Sequence, residues 1–461
     1  MLNLKEFKHI HCIGIGGIGL SAVAEILASR GCEVSGSDMK LSDVTEHLIS
    51  KGIKVYEGHS VDNIKGADLI VYSAAVSPEN PELTAAEAEG IPVATRAEAL
   101  GALMQDYPTG IAISGTHGKT TTTSMVSLIL DNSETDPTIL IGGNLPQYHG
   151  NVKIGHGDYF VTEACEYMDS FLSLHPKIEI ILNIDSDHLD YFKDIEHIVN
   201  SFDKFAALIP DDGIIFAYDA NPFVSGIIQS KELRDRVVTY GFSPHSDFYS
   251  SDIKFDNNGY PSFDVYNKGE LLGRVTLSVP GEHNISNAMA SIACCYTLGV
   301  DIESIINTLK EFKGTHRRFD IIGETSNGIK VIDDYAHHPT EISATLRAAQ
   351  NMPHGRLWCL FQPHTYTRTM ALFDEFTKCF DDADVLIMAE IYAAREKNIH
   401  KISSKELINE IKQQKPAKEA YYFNSLEEIA TFVGNNAQPG DVVITMGAGD
   451  IYKVAELLMK Q

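Results

Sequence analysis

A chain of 461 residues is longer than one ordinary hydrophobic core organises, and length alone points to about three domains. Hydrophobic residues at 44% and charged residues at 22% describe a soluble globular protein; with no apolar run of about 18 residues and no signal-peptide cleavage pattern, a cytoplasmic location is expected. The net charge of −26 argues against nucleic acid or an anionic membrane as partner, although a local nest of N–H groups and lysine can still hold a small anion, since distant charge is screened beyond about 8 Å.

The first block, 1–107, alternates strand, loop and helix. "HIHCIGIGG" reads as a strand entering a glycine turn, "SAVAEILASRG" as a helix closed by Gly31, and "CEVSGSD" as a second strand. "ADLIVYSAAV" and residues 92–94 continue a small parallel sheet. The "GIGGIG" of Gly14, Gly16, Gly17 and Gly19 stands where a Rossmann fingerprint belongs, with Asp38 about 20 residues on. Alone it says that a diphosphate can rest on this helix N-terminus. It does not establish a nicotinamide cofactor.

The second block, 108–316, opens with "YPTGIAISG" and runs into Gly115, Thr116, His117, Gly118, Lys119, Thr120 and Thr121. The full G-x-x-x-x-G-K-[ST] pattern is not met, because Ile113 stands where its first glycine belongs. The physical parts are present all the same. Glycines let N–H groups approach phosphate, the helix N-terminus is positive, Lys119 reaches β/γ oxygens and the Thr120 hydroxyl suits octahedral Mg²⁺. "YFVTEA", "EIILNI" and "GIIFAY" are further strands. The clusters after two of them place Glu163, Glu166 and His188 on the strand-end edge shared by Lys119, where a carboxylate can hold Mg²⁺ and a neutral imidazole a second ion. His188 reads equally as a strand-end histidine bonded to a carbonyl, and Asp185, Asp187 and Asp190 read as cap or surface residues. A polar stretch over 241–275, with turn signals at Asn257-Asn258-Gly259 and Asn267-Lys268-Gly269, predicts an antiparallel β addition.

The third block, 317–461, follows "FKGTHRRF" and offers the strands "IKVIDDY", "RLWCLFQ", "DVLIMAE" and "DVVITMG". The seven cysteines contain no C-x-x-C pair, so buried free thiols are expected. A nicotinamide enzyme would leave the second phosphate loop unexplained. A transfer between two nucleotide-bearing reactants uses both.

"GIGGIGLSAVAEIL", "GTHGKTTTT", "NIDSDHLDYF", "VPGEHNISNAMA", "GTHRRFD", "DDYAHHPTEI", "FQPHTYTRT" and "MGAGDI" follow one another in this order, and with them the whole chain resembles the Mur ligase family. The resemblance implies an α/β fold of three domains: a Rossmann-like N-terminal domain for a UDP-sugar, a P-loop-type central ATPase domain with the β addition, and a Rossmann-like C-terminal domain for an amino acid. It implies ATP and Mg²⁺ as cofactors and UDP-N-acetylmuramate and L-alanine as partners, in a monomer or weak homodimer. The implied reaction passes through an acyl phosphate.

By the same resemblance Lys119 meets the γ-phosphate, Thr120 and Glu163 bind one Mg²⁺, and Glu163 and His188 a second. Asn284 contacts adenine, Arg318 an ATP phosphate and Asp334 the ribose, while Tyr335, His337, His364 and Arg368 position L-alanine or the acyl phosphate. Duller readings stand beside these. Asn284 can cap its helix, Arg317 and Arg318 can be a solvated hinge pair, Asp334 a loop acid, His338 a cap neighbour and Tyr335 interface packing. Cys165, Tyr167 and Arg395 depart from the family pattern, and the carbamylated lysine of sister ligases has no clear counterpart, Lys204 being nearest. The rivals are a ligase that attaches a tripeptide to the same sugar nucleotide, a nicotinamide oxidoreductase and a non-catalytic UDP-sugar binder.

Overall fold

The structure is a computed structural model and describes residues 2–148, 150–230, 233–399 and 401–460, so that Met1 and Gln461, the outer limits of the expected domains, lie outside it. Three sheets follow one another along the chain. The first has five parallel strands in the order Lys54–Glu57, Glu33–Asp38, His9–Ile13, Leu69–Tyr72, Val93–Thr95. The chain crosses to one side of His9–Ile13 and then to the other, so the Gly14 loop leaves at the switch point, where α/β sheets hold their ligands. The helix Ile18–Ser29 follows, and Gly31 just beyond it has φ +87°, as a C-terminal stop requires.

The second sheet has ten strands. Its core order is Ile214–Tyr218, Ile178–Ile181, Thr109–Ser114, Tyr159–Ala164, all parallel. The strand order reverses at Thr109–Ser114, which places the Gly115 loop at a second switch point. The expected β addition is present: Phe248–Phe255, Pro261–Asn267 and Glu270–Thr276 pair antiparallel at one edge. At the other edge Gly150–Lys153 pairs antiparallel with Thr138–Leu145. The third sheet has six strands, with Lys330–Asp334, Val442–Met446, Leu357–Phe361 and Val385–Met388 at its centre, Glu419–Tyr422 parallel at one edge and Asp320–Glu324 antiparallel at the other.

The two junctions differ in kind. One apolar cluster runs without a break from Ile10, Leu27 and Met104 of the first sheet's layers to Ala112, Leu140 and Phe160 of the second. The helix Arg96–Met104 lies against the segment 167–173 so closely that a Cβ on Gly101 would stand 1.9 Å from the Ser173 carbonyl oxygen. The seam between the second and third sheets is built from histidines, carboxylates and an arginine, described next.

Candidate active site

The strand Thr109–Ser114 is apolar and buried, and four residues separate it from the helix Lys119–Asn132. The turn between them requires glycine twice. Gly115 has φ +137° and Gly118 φ +86°, and a Cβ on Gly118 would lie 2.5 Å from Asn287 Oδ1. Asn183 pins the turn, taking the Thr116 amide on its carbonyl (3.1 Å) and the His117 amide on Oδ1 (2.8 Å). The amides of the first helical turn, Lys119 to Thr121, have no intrahelical acceptor and face the cleft as an anion cradle. Lys119 Nζ donates to the Gly115 and Thr116 carbonyls and to the buried Glu166, at 2.9 Å from Oε2. Burial works against the Lys119 ammonium, but Glu166 outweighs it and holds its pKa above the usual range. The lysine is therefore charged, and an incoming phosphate competes with Glu166 for it.

Glu163 ends the strand Tyr159–Ala164 and takes the Gly142 amide on Oε1 at 2.6 Å. Among the described residues neither its Oε2 nor the Thr120 hydroxyl has a hydrogen-bond partner. Two uncommitted oxygens at the mouth of a phosphate cradle fit a hard cation such as Mg²⁺. His188, at φ +53°, points Nε2 at Glu166 Oε1 (4.0 Å) and packs its ring on Tyr167 at 4.7 Å. The carboxylate beside both Lys119 and His188 is thus Glu166.

The cap-or-surface reading of the neighbouring aspartates fails for Asp187. It is 6% exposed and receives Arg368 Nε at 2.9 Å, so it is one half of a buried interdomain ion pair. Burial raises the Asp187 carboxyl, and Arg368 more than reverses this. Asp185 is half-buried and engaged by His117 and Thr340, whereas Asp190 lies at the surface and accepts from the Tyr167 hydroxyl.

A cavity of about 730 Å³ opens beside the phosphate loop, lined by His117, Gly118, Thr121, His283, Asn284, Asn287, Arg318, Asp334 and Glu341 among others. The cap of the helix Glu282–Thr297 is Gly281, so Asn284 is not its N-cap; its Nδ2 donates to the Pro280 carbonyl at 2.7 Å. Asp334 ends its strand, takes the amides of Phe319 (2.8 Å) and Ala336 (2.7 Å), and is pushed up to about 6 by burial. The two hinge arginines divide their work. Arg317 donates to Asp333 and to the Gly447 carbonyl and lies between Tyr335 and Tyr452, while Arg318 faces the cavity, 4.0 Å from Glu341. Tyr335 packs on both guanidiniums.

The third domain brings His337, His364 and Arg368 together. The two rings are 6.0 Å apart, and Arg368 Nη1 lies 3.2 Å from His364 Nδ1. His337 is pushed down to about 3 and His364 to about 4, in both cases first by burial. His337 Nδ1 bonds to the Tyr335 carbonyl at 3.0 Å, which leaves Nε2 as a neutral acceptor. His338 caps the helix Pro339–Gln350 and reaches across the seam to the Ser186 carbonyl at 2.9 Å. Sequence reasoning missed Asn183 and Glu341, and gave Asp187 no role beyond a cap or the surface.

At the first loop Gly14 has φ +80°, and Gly16 donates its amide to Asp38 Oδ2 at 2.8 Å. Asp38 therefore braces the loop, and a diphosphate there rests on the amides at the start of the helix Ile18–Ser29. A Cβ on Gly19 would stand 3.1 Å from the Arg96 guanidinium, a cation with no ion pair among the described residues. Asn151 joins this helix to the second sheet through the carbonyls of Ile18 and Ile141, one residue from the Gly142 that binds Glu163.

Two glycine turns at the switch points of adjoining sheets, one carrying lysine, threonine and carboxylates, give the arrangement of an α/β nucleotide-using enzyme. Profile comparisons agree: "Mur ligase family, catalytic domain" matches residues 9–108, "Mur ligase middle domain" 113–295 and "Mur ligase, glutamate ligase domain" 317–449. The chain belongs to the Mur ligase family. A UDP-N-acetylmuramate–L-alanine ligase of Acetivibrio thermocellus is 51% identical over 100% of this chain and 97% of its own. One of Alkaliphilus metalliredigens is 51% identical over 99% and 98%. The crystal structure of the Thermotoga maritima UDP-N-acetylmuramate–alanine ligase superposes with a TM-score of 0.82 at 30% identity, covering 98% of both chains. A murein peptide ligase of Psychrobacter arcticus gives a TM-score of 0.72 at 26% identity over the same shares.

Proposed function

We propose that this chain joins L-alanine to the lactyl carboxylate of UDP-N-acetylmuramate with ATP, releasing ADP, phosphate and UDP-N-acetylmuramoyl-L-alanine. The observation that carries the reading is one cavity lined by Gly118 and Thr121 of the phosphate loop together with Arg318, Asp334 and Glu341, the last 3.5 Å from His337 of the His337, His364 and Arg368 group. The relatives at 51% identity along the full chain carry that activity in their names. The tripeptide-attaching rival is favoured by no feature of this site.

The reaction is two displacements. The lactyl carboxylate attacks the γ-phosphorus, ADP leaves, and the alanine amine then displaces phosphate from the acyl phosphate. Lys119 exchanges Glu166 for the more highly charged transferring phosphoryl group, where a preorganised cation stabilises the charge that develops in the transition state. Thr120 and Glu163, with His188 on the same edge, are the residues to hold Mg²⁺, which supplies further charge neutralisation when bound. Arg318 meets ATP phosphates, Asp334 the ribose hydroxyls and Asn284 the adenine. A group with its pKa near 3 is a poor general base at neutral pH, so His337 Nε2 serves as a hydrogen-bond acceptor that orients the neutral amine. Arg368 holds the amino acid's carboxylate or the acyl phosphate.

Phosphate release from ATP, measured with and without UDP-N-acetylmuramate across L-alanine, L-serine, glycine and a cell-wall tripeptide, tests this. Release that needs the sugar nucleotide and is fastest with L-alanine is expected. Turnover with the tripeptide and none with L-alanine would transfer the assignment to the rival.

A further inference from the structure

We propose that His117 is a positioning residue: its imidazole, gripped between Asp185 of the middle domain and Glu341 of the C-terminal domain, makes the geometry of the phosphate loop depend on docking of the domain that brings the amino acid. The inference rests on the ligase reading above and goes beyond it, because that reading uses the His117 backbone alone.

Nδ1 lies 3.2 Å from Glu341 Oε1 and Nε2 3.2 Å from Asp185 Oδ2. Ionised carboxylates only accept, so a ring bonded to one at each nitrogen must donate from both and is an imidazolium. Burial opposes that charge, and the two carboxylates overcome it, holding His117 up to about 9. Glu341 is fixed on its own side as the third residue of the helix Pro339–Gln350, where it takes the His337 amide at 3.1 Å. Asp185 also takes the Thr340 hydroxyl at 2.8 Å, and the His338 ring lies against His117 at 4.8 Å, tilted by 45°.

The other half of the coupling lies in the backbone. Asn183 holds both the N–H and the carbonyl of His117, which fixes the stretch of loop from which the ring reaches Glu341. That loop presents the Gly115 and Thr116 carbonyls to Lys119 Nζ. If the C-terminal domain swings away, Glu341 goes with it and His117 keeps a single carboxylate.

His117, Asp185 and His338 also place ligand atoms within 4.8 Å of one another, a spacing open to a metal ion. Each is already engaged, however. His338 Nδ1 accepts the Thr340 amide of its helix cap, and both His117 nitrogens are bonded to carboxylates. A metal would have to break the cap and two ion pairs, so the contact is a strap between domains.

The test uses the full-length protein with His117→Asn, Glu341→Gln and the double variant. Glutamine keeps the helix cap, and thermal unfolding verifies that each variant folds. Each single substitution is expected to raise KM for L-alanine about tenfold, the worth of one charge-assisted hydrogen bond. The double variant should be no worse than the worse single, since both remove the same contact. A non-hydrolysable ATP analogue should still bind each variant when titrated calorimetrically, since the amides of Lys119 to Thr121 stay in place; loss of that binding would make His117 part of the nucleotide site and overturn the strap. Small-angle scattering with that analogue should show a larger radius of gyration for His117→Asn than for the wild type. Additive losses, an unchanged KM for L-alanine, or an unchanged radius would each overturn the strap. A wild type that ligates another acceptor would instead remove the functional reading, and the scattering comparison would still decide the strap.

Discussion

Lys119 and Arg368 both enter the cleft already paired with a buried carboxylate, Glu166 for one and Asp187 for the other. A buried pair is costly to break by removing one partner, because the remaining charge is left without compensation. Lys119→Met therefore does two things: it removes the phosphate contact and strands Glu166. The expected result is a loss of phosphate release by about 10²–10³-fold, with cooperative unfolding retained; release within tenfold of wild type would show that another cation does the work. A second buried carboxylate acts far from the chemistry. Glu82 is fully buried and receives Ser37 Oγ, the Ser60 amide (3.2 Å) and Asn63 Nδ2 (2.6 Å) beside His11 at 3.7 Å. Burial raises its carboxyl, and these donors more than reverse that, bringing it down to about 2. A depressed carboxyl contributes stability above its unfolded value and loses it as pH falls through the folded one. Acid unfolding of the wild type should thus steepen between about pH 4.5 and 2, and Glu82→Gln should be less stable at pH 7 with a flatter acid limb. Equal slopes in both proteins would deny Glu82 this role. Ser37 is the residue whose carbonyl receives the Gly14 and Ile15 amides, so this network also braces the first anion cradle.

The helix Arg96–Met104 fixes the first sheet to the second through Gly101, against the Ser173 carbonyl. Gly101→Ala has no flexible side chain to displace, only backbone, and overpacking of this kind costs about 1–3 kcal/mol. The expected outcome is a fall of several degrees in the melting temperature with KM for ATP unchanged; an unaltered melting temperature would mean that the helix shifts at no cost. Legibility at this scale follows from how strands earn their signal. Central parallel strands such as Leu357–Phe361 and Val442–Met446 are buried on both faces and read as apolar runs. The edge strands Lys54–Glu57 and Asp320–Glu324 are largely solvated and carry no such run, so the sequence did not mark them. The hairpin at Lys268-Gly269 was visible because two consecutive positive φ values, +49° and +86°, need those residues. The chemistry at strand ends was legible for the same local reason, since loop, lysine and helix are contiguous. The pairs His117 with Glu341 and Arg368 with Asp187 join residues 224 and 181 positions apart, and no local pattern announces them.

Across the whole molecule the contrast between the two seams sets what moves. The first and second domains share one apolar cluster, which a change of pH leaves intact. The second and third meet through His117, His338, Asp185, Asp187, Glu341 and Arg368, groups whose attraction depends on their charge. Of the two seams the polar one is the one that can part without exposing an apolar cluster, and protons are a handle on it. His117 is raised by its two carboxylates, so its contribution to docking is fully present below the free imidazole value of 6.5 and is lost as pH rises through about 9. Arg368 and Asp187 form the other ion pair of this seam. Small-angle scattering of the wild type bound to an ATP analogue should therefore report a compact particle at pH 7 and a larger radius of gyration by pH 10. His117→Asn should give the larger radius at both values, its response to pH flattened. A wild-type radius that does not change across that interval, or a variant that expands as much as the wild type, would mean that the seam is held by the Arg368 pair alone and that domain closure does not sense the phosphate loop.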